Sequence, residues 1–408
     1  MTARWKTEPL GELCEFRRGL TYAKDDEVDA SDNVVLRASN IDLATNLLNL
    51  GDLRYINNRV VVPESKKVKK GSLMICTASG SKSHLGKVAF IDEDYGYAFG
   101  GFMGMITPKS ALLPRYLFYL MTSEAYKVFI GELSDGTNIN NLKFDDLKHF
   151  AVPYPPIAEQ RRIVALLDEA LWGITTTKVN TEENLHNALA LFESHLQSLF
   201  TQRGKGWLEK PLSELCDIKH GYAFEGEFFS NQGEYVLLTP GNFYERGGYR
   251  DRGEKQKYYT GEIPRDYVLN GGDLLVAMTE QAAGLLGSPI LVPEYDKFLH
   301  NQRLGLVNAK TGVPWTNEFF FHVFNTQAVR KAVHASASGV KVRHTSPTKI
   351  GEVVVSFPTS LKEQKAIVAV LADLREETQR LATLYERKLV ALEALKKSLL
   401  RAAFSGEL

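Results

Sequence analysis

The chain has 408 residues, 44% apolar and 24% charged, the balance of a soluble globular protein of two to four structural units. Those figures exclude a disordered or collagen-like chain, and no stretch approaches the ~20 consecutive apolar residues of a membrane span. The 49 basic and 49 acidic residues cancel, so the basic surplus of many lone nucleic-acid binders is missing, and a local patch or a basic partner would have to supply that field.

Taken from the start, Met1-Thr2-Ala3-Arg4-Trp5-Lys6 lacks the apolar core of a signal peptide. Cys14, Cys76 and Cys216 are odd in number, far apart and never spaced C-x-x-C. Neither a disulfide framework nor a structural zinc site is expected, and a cytoplasmic location is.

The chain repeats itself. Trp5, Pro9, Leu10, Glu12, Leu13, Cys14 and Gly19 recur as Trp207, Pro211, Leu212, Glu214, Leu215, Cys216 and Gly221, at an offset of 202. Pro155-Pro156-Ile157-Ala158-Glu159-Gln160-Arg161-Arg162-Ile163-Val164 is answered by Pro358-Thr359-Ser360-Leu361-Lys362-Glu363-Gln364-Lys365-Ala366-Ile367-Val368. Between these blocks Asn40 pairs with Asn242, Gly71 with Gly272, Gly104 with Gly305 and Gly136 with Gly339. The frame repeats and variable content sits inside it.

Each repeat opens with a mixed α/β stretch. Val34-Val35-Leu36, Leu73-Met74-Ile75 and Val88-Ala89-Phe90-Ile91 read as strands, and residues 114–130 and 315–333 as helices. Each repeat closes with a segment, 157–200 or 361–404, that has no proline and a single glycine, Gly173. In the second segment Ile367, Leu371, Leu374, Leu381, Tyr385, Leu392, Leu395 and Leu399 mark a heptad seam, interrupted at Thr378 and Lys388. The first keeps that spacing at Ile163, Leu167, Ala170 and Ile174 and resumes at Leu185, Leu189, Phe192, Leu196 and Leu199, with a stutter over 175–184. Helices of this length span about 66 Å and must bury their stripe against each other or against their own globule. We expect an α+β protein: two similar mixed α/β globules separated by an antiparallel coiled coil, pseudo-two-fold and pseudo-circular. The expected boundaries are globules at 1–156 and 204–358 and helical spacers at 157–203 and 359–408.

Two heads on a rigid spacer make a two-point caliper. Its length is about two turns of B-DNA, but the same body could hold two protein subunits, and a protein-only scaffold without DNA specificity stays open on physics alone.

The doubled Glu-Gln-x-x-Ile-Val motif, the doubled Trp-x-x-x-Pro-Leu-x-Glu-Leu-Cys opening and the ending Ser398-Leu399-Leu400-Arg401-Ala402-Ala403-Phe404-Ser405-Gly406-Glu407-Leu408 resemble the specificity subunit of type I restriction–modification enzymes over the whole chain. The resemblance implies that each globule is a target recognition domain and each helix a conserved spacer. It implies double-stranded DNA with a bipartite asymmetric site, two methyltransferase subunits, and restriction subunits. It also implies no chemistry or cofactor in this chain, with S-adenosylmethionine, ATP and Mg held by the partners. The second Glu-Gln motif departs from the first by one extra residue, with Thr359-Ser360 where the first copy has Pro156.

No catalytic motif competes with this reading. Pro153-Tyr154-Pro155-Pro156-Ile157 lacks the Asn or Asp and the aromatic of an adenine methyltransferase loop, and Phe99-Gly100-Gly101-Phe102 is a poor adenosylmethionine motif. Residues 80–88 come near a P-loop but have five residues between the glycines and Val88 after Lys87. Glu363-Gln364-Lys365 resembles half of a nuclease site, with a first-turn helix acid as the simpler explanation. The nine histidines form no metal spacing.

Base reading needs donors and acceptors at a mobile edge, and phosphate binding needs cations. In the first globule the candidates are Arg17, Arg18, Lys24, Arg37, Ser39 and Asn40, then Ser79, Ser81, Lys82, Ser83 and His84 on a small polar loop, then Asn138, Asn140 and Lys143. In the second they are Lys219, His220, Asn242, Tyr244, Thr279, Glu280, Gln281, Lys341, Arg343 and His344, with Glu280 suited to a cytosine amino group. Each has a plainer reading as a solvated hairpin, an Asn-rich turn or a surface charge.

Overall fold

The computed structural model describes residues 5–42, 45–79, 84–135, 141–204, 206–280, 284–294, 297–339 and 342–408. It divides into two units, Met1–Glu182 with Glu386–Leu408, and Glu183–Tyr385. Each unit therefore holds one globule and part of each long helix.

In the first unit a four-stranded antiparallel sheet has the order Cys14–Arg18, Met103–Pro108, Leu73–Cys76, Val88–Phe90. Its central strand is apolar on both faces because both are covered. Leu73 and Ile75 point into one core with Tyr116, Leu117 and Ile163, while Met74 and Cys76 point into another with Leu36, Phe99 and Met105. A second four-stranded sheet joins Glu27–Val28, Arg54–Ile56, Asn33–Leu36 and Ala98–Phe99, the last running parallel to its neighbour.

The second unit rebuilds this plan. Cys216–His220, Leu304–Ala309, Leu274–Ala277 and Pro289–Leu291 form the first sheet. Leu274 and Val276 face one core, Leu275 and Ala277 the other. Its second sheet has five strands, gaining Val268–Leu269 at the edge. The three cysteines are buried and free, with burial pushing their thiols up to about 12, 11 and 12 for Cys14, Cys76 and Cys216.

Residues 114–130, read as one helix, are two: Pro114–Leu120 and Glu124–Asp135. Thr122 and Ser123 end the first by donating their hydroxyls back to Tyr119 O at 2.9 Å and Leu120 O at 2.7 Å. In the second unit Thr326 separates Asn317–Asn325 from Gln327–Ser336 and caps the latter by accepting from Val329 N.

The long helices run Ile157–Gln202 and Leu361–Ser405 without a break. Within the first unit Ile163 and Leu167 pack with Leu400 and Ala403, and Lys178 pairs with Glu393 at 2.7 Å. Within the second, Phe192 meets Arg375, and Phe200 shares a core with Ile367 and Val368. Position sums are nearly constant in both units, so the pairing is antiparallel. The 175–184 stutter leaves the helix intact: Thr181 is buried in the seam, and its hydroxyl donates to Thr177 O at 2.6 Å. Two seam assignments are corrected. Leu189 and Leu395 are 42% and 48% exposed, while Ala188 and Leu400 are buried. The helices face their own globule as well as each other: Leu400 shares a core with Tyr116 and Leu117, so the buried stripe there departs from the strict heptad.

The repeated Gln is the joint between helix and globule. Gln160 accepts from Leu113 N at 2.8 Å and donates to Ala111 O and Pro155 O at 2.9 Å each. Gln364 accepts from Thr316 Oγ1 at 3.1 Å and donates to Pro314 O and Pro358 O. The extra residue of the second copy is absorbed at the cap: Ser360 Oγ accepts from Glu363 N where the first helix opens on Pro156. Glu363 is more than a first-turn acid, since Trp207 Nε1 donates to it at 2.9 Å, whereas Glu159 pairs with Arg162. The chain's two tryptophan openings dock alike: Trp207 meets Phe200 edge to face, and Trp5 lies under Gly406 against the core that Phe404 also packs on.

Candidate nucleic-acid interface

Two of the polar segments singled out in each globule meet. In the first unit Ala78 bridges Asn141, and Leu142 N donates to Thr77 O at 2.6 Å. In the second, Thr279–Glu280 pairs with Arg343–His344, and Thr345 N donates to Met278 O at 3.0 Å. Thr279, a base-reading candidate, is only 7% exposed and instead supports the exposed His344, its Oγ1 3.2 Å from His344 Nδ1. Arg18 and Lys143 join the first cluster: Arg18 is exposed with its guanidinium 5.7 Å from the Phe144 ring, and the exposed Lys143 precedes that ring. His220 is exposed at the matching strand end of the second unit.

Three candidates are corrected. Asn40 is fully buried and ties its own loop, accepting from Arg37 N and donating to Asn49 O and Asp52 O. Asn242 does the same with Thr239 N and Gln256 Oε1. Glu280, a candidate for a cytosine amino group with a surface carboxylate as the plainer reading, is neither: it is 2% exposed, accepts from Gly284 N and Leu286 N, and has Arg343 Nη1 at 3.4 Å. A buried carboxylate needs such partners, and these leave its oxygens facing the protein. Arg343 is held by the same carboxylate and by His334 O.

Other candidates stand apart from these clusters. Arg17 donates to Ser65 O and Arg37 pairs with Asp52. Ser39 and Lys24 are exposed on loops of the second sheet. Lys219 donates to Asp266 O, its ammonium 4.4 Å from the Tyr267 ring centre. Tyr244, 52% exposed, lines a cleft with Phe192 and Arg375 on the long helices. Ser79 and His84 are half-buried at the ends of their loop. Ser81, Lys82, Ser83, Asn138, Asn140, Gln281 and Lys341 lie outside the described residues.

A tight turn completes each cluster; the first lies in Phe99-Gly100-Gly101-Phe102, weighed above only as an adenosylmethionine motif. Thr77 N, Ala78 N and Thr77 Oγ1 all donate to Phe102 O, at 2.9, 3.1 and 2.9 Å. Met278 N donates to Arg303 O at 3.0 Å in the second unit. Both turns press on a strand end at a glycine. A Cβ on Gly19 would sit 1.9 Å from Gly100 O, and one on Gly221 would sit 2.1 Å from Asn301 O. That contact is why these two glycines repeat. Phe102 is 73% exposed, and Gln302 and Arg303 are exposed. The pairing of Gly104 with Gly305 puts Phe102 opposite Arg303 and was the available signal.

Residues 3–186 and 204–386 each match the family described as the type I restriction modification DNA specificity domain. The chain belongs to this family. The two matched domains contain the two clusters described above. Among curated relatives, the type I restriction enzyme StySPI specificity subunit of Salmonella potsdam is 26% identical, over 99% of this chain and 89% of the relative. The EcoKI specificity subunit of Escherichia coli strain K12 is also 26% identical over the same shares. A chain in a structure describing complex assembly and conformational transition of the type I R-M system shares the fold, with a TM-score of 0.74 at 18% identity over 99% of this chain and 98% of that one. The HsdS subunit from Thermoanaerobacter tengcongensis aligns with a TM-score of 0.64 at 18% identity, over 99% and 97%. No group of three or more His, Cys, Asp or Glu suited to a metal ion occurs among the described residues, and no described helix is long and apolar enough to cross a membrane.

Proposed function

We propose that this DNA specificity chain reads a bipartite, asymmetric double-stranded DNA site, one half per unit. The recognition domains are residues 1–156 and 204–358. The spacers 157–203 and 359–408 set the gap between the halves. One observation carries the reading: the two units share the main-chain frame of the exposed cluster and differ in the side chains at its tip. Asn141 faces Ala78 in one and His344 faces Thr279 in the other. A frame held constant under changed contents is what two different half-sites require.

The chain does no chemistry in this reading. Two methyltransferase subunits carrying S-adenosylmethionine modify an adenine in each half, and restriction subunits bring ATP and Mg, all in the cytoplasm. The long helices offer the partners a surface: in the first unit Trp172 and Val390 are 73% and 72% exposed, with Leu166, Val179 and Leu395 also outward. The zero net charge fits a division of labour in which partner subunits neutralise most of the phosphates.

Gel-shift titration of the purified chain, alone and with its methyltransferase subunit, tests this. The chain alone should bind duplex DNA weakly, lose that binding steeply between 50 and ~200 mM salt, and gain sequence preference only in the complex. Tight, sequence-specific binding by the isolated chain would contradict the division of labour.

A further inference from the structure

The turns at residues 100–103 and 301–304 are the same object with different tips. Met103 N donates to Gly100 O at 2.8 Å, and Leu304 N donates to Asn301 O at 3.0 Å. Leu20 N donates to Phe99 O and Tyr222 N to His300 O, at 2.7 and 2.9 Å, fixing each turn to the first strand of its sheet. Gln302 N adds a bond to Tyr222 O at 2.9 Å, and Arg303 N one to Asn301 Oδ1 at 3.0 Å. The backbone under Gln302 and Arg303 is therefore held from both sides.

What this rigid base displays differs between the units. The first shows Gly101 and Phe102, the second Gln302 and Arg303, all exposed. Among the described residues no ion pair or hydrogen bond engages the Arg303 guanidinium, and Gln302 bonds only through its main chain. Arg303 stands on a backbone pinned to Met278, whose carbonyl anchors the strand carrying His344. Holding the base rigid cuts the ordering cost of contact and fixes register. A guanidinium so held matches guanine O6 and N7, and a carboxamide matches adenine N6 and N7. The benzyl group of Phe102 has no such fork and suits the thymine methyl.

We propose that the 301–304 turn reads bases in the major groove for the second unit, Arg303 on a guanine and Gln302 on an adenine, and that Phe102 meets a thymine methyl for the first. This rests on the half-site reading above. Neither turn was among the candidate segments for base reading, and neither depends on Glu280, which is buried.

The test is methylation mapping of host genomes carrying Arg303→Ala, Arg303→Lys or Phe102→Ala in the full chain with its own partners. Arg303→Ala should make one guanine of one half-site degenerate, with discrimination at that position falling about 10- to 100-fold. The other half and the gap should not change. Arg303→Lys should keep part of the preference, because a point charge lacks the fork. Phe102→Ala should alter only the opposite half. A motif unchanged by Arg303→Ala overturns the inference. If Arg303→Ala abolishes methylation, the purified variant complex decides: retained binding confined to the wild-type motif overturns the inference, and binding spread over sequences differing at one guanine supports it. If deletion of the chain itself removes no motif, the half-site reading fails and takes this inference with it.

Discussion

Gln160 and Gln364 are fully buried, and each side-chain amide makes three hydrogen bonds that close the globule onto the start of a long helix. Truncation removes those bonds and orphans buried backbone groups, a loss of about 3 kcal/mol. Gln364→Ala should lower the denaturation midpoint accordingly, while Lys365→Ala, at the exposed neighbouring position, should leave it nearly unchanged. Equal midpoints for the two variants would show that the amide is not the joint. His322 and His300 should make the second unit acid-sensitive. Burial holds both well below the usual histidine range, at about 4, with the Arg375 charge adding to the effect on His322. Above pH ~6.5 neither folded nor unfolded chain binds these protons. As pH falls from about 6.5 to 4 the unfolded chain takes them up first, so stability drops, by up to about 3 kcal/mol per histidine, and then levels off. His322→Leu should flatten roughly half of that slope in thermal melts between pH 7 and 4.5; an unaltered slope would assign the acid sensitivity elsewhere. At this scale the Glu-Gln motif was legible as a repeat, but its purpose was not, because the carbonyls it meets come from a distant turn. Asn40, Asn242 and Glu280 carry base-reading chemistry on paper. Their use inside the fold depends on loop closures that spacing does not encode.

The long helices show what periodicity can and cannot deliver. Their extent and most of their buried stripe follow from the heptads, as with Ile163, Leu167, Leu196 and Leu371, and their antiparallel direction from the order globule, helix, globule, helix. Near Leu189 and Leu395 the stripe drifts, since a real helix turns every 3.6 residues and the globule competes for the same face. The turns at 100–103 and 301–304 were missed for the opposite reason. They have no periodicity, and their signal lies in one aligned pair of positions. If the paired helices set the gap, removing residues 179–185 and 383–389 together should shorten each by about 10 Å. The methylated site's gap should then shrink by about three base pairs at ~3.4 Å each, with both half-site sequences intact. A gap that stays the same in this double deletion would reject the ruler.

At the scale of the whole molecule, one chain carries two copies of a frame and no net charge. Duplication explains why the architecture is legible in the sequence: the Trp-to-Cys opening and the Glu-Gln motif each appear twice in the same order, and chance does not repeat itself in order. Divergence within the frame gives each copy its own tip, which is what the proposed asymmetric target requires; in that proposal the partner subunits supply most of the affinity and this chain the selectivity. Long-read methylation mapping of the host genome, with and without this chain, tests that claim most directly. Loss of one bipartite adenine-methylation motif on deletion is the expected result, and its restoration by the reintroduced gene would complete it. A methylome unchanged by the deletion, in a strain whose partner methyltransferase subunit is expressed, would contradict the account.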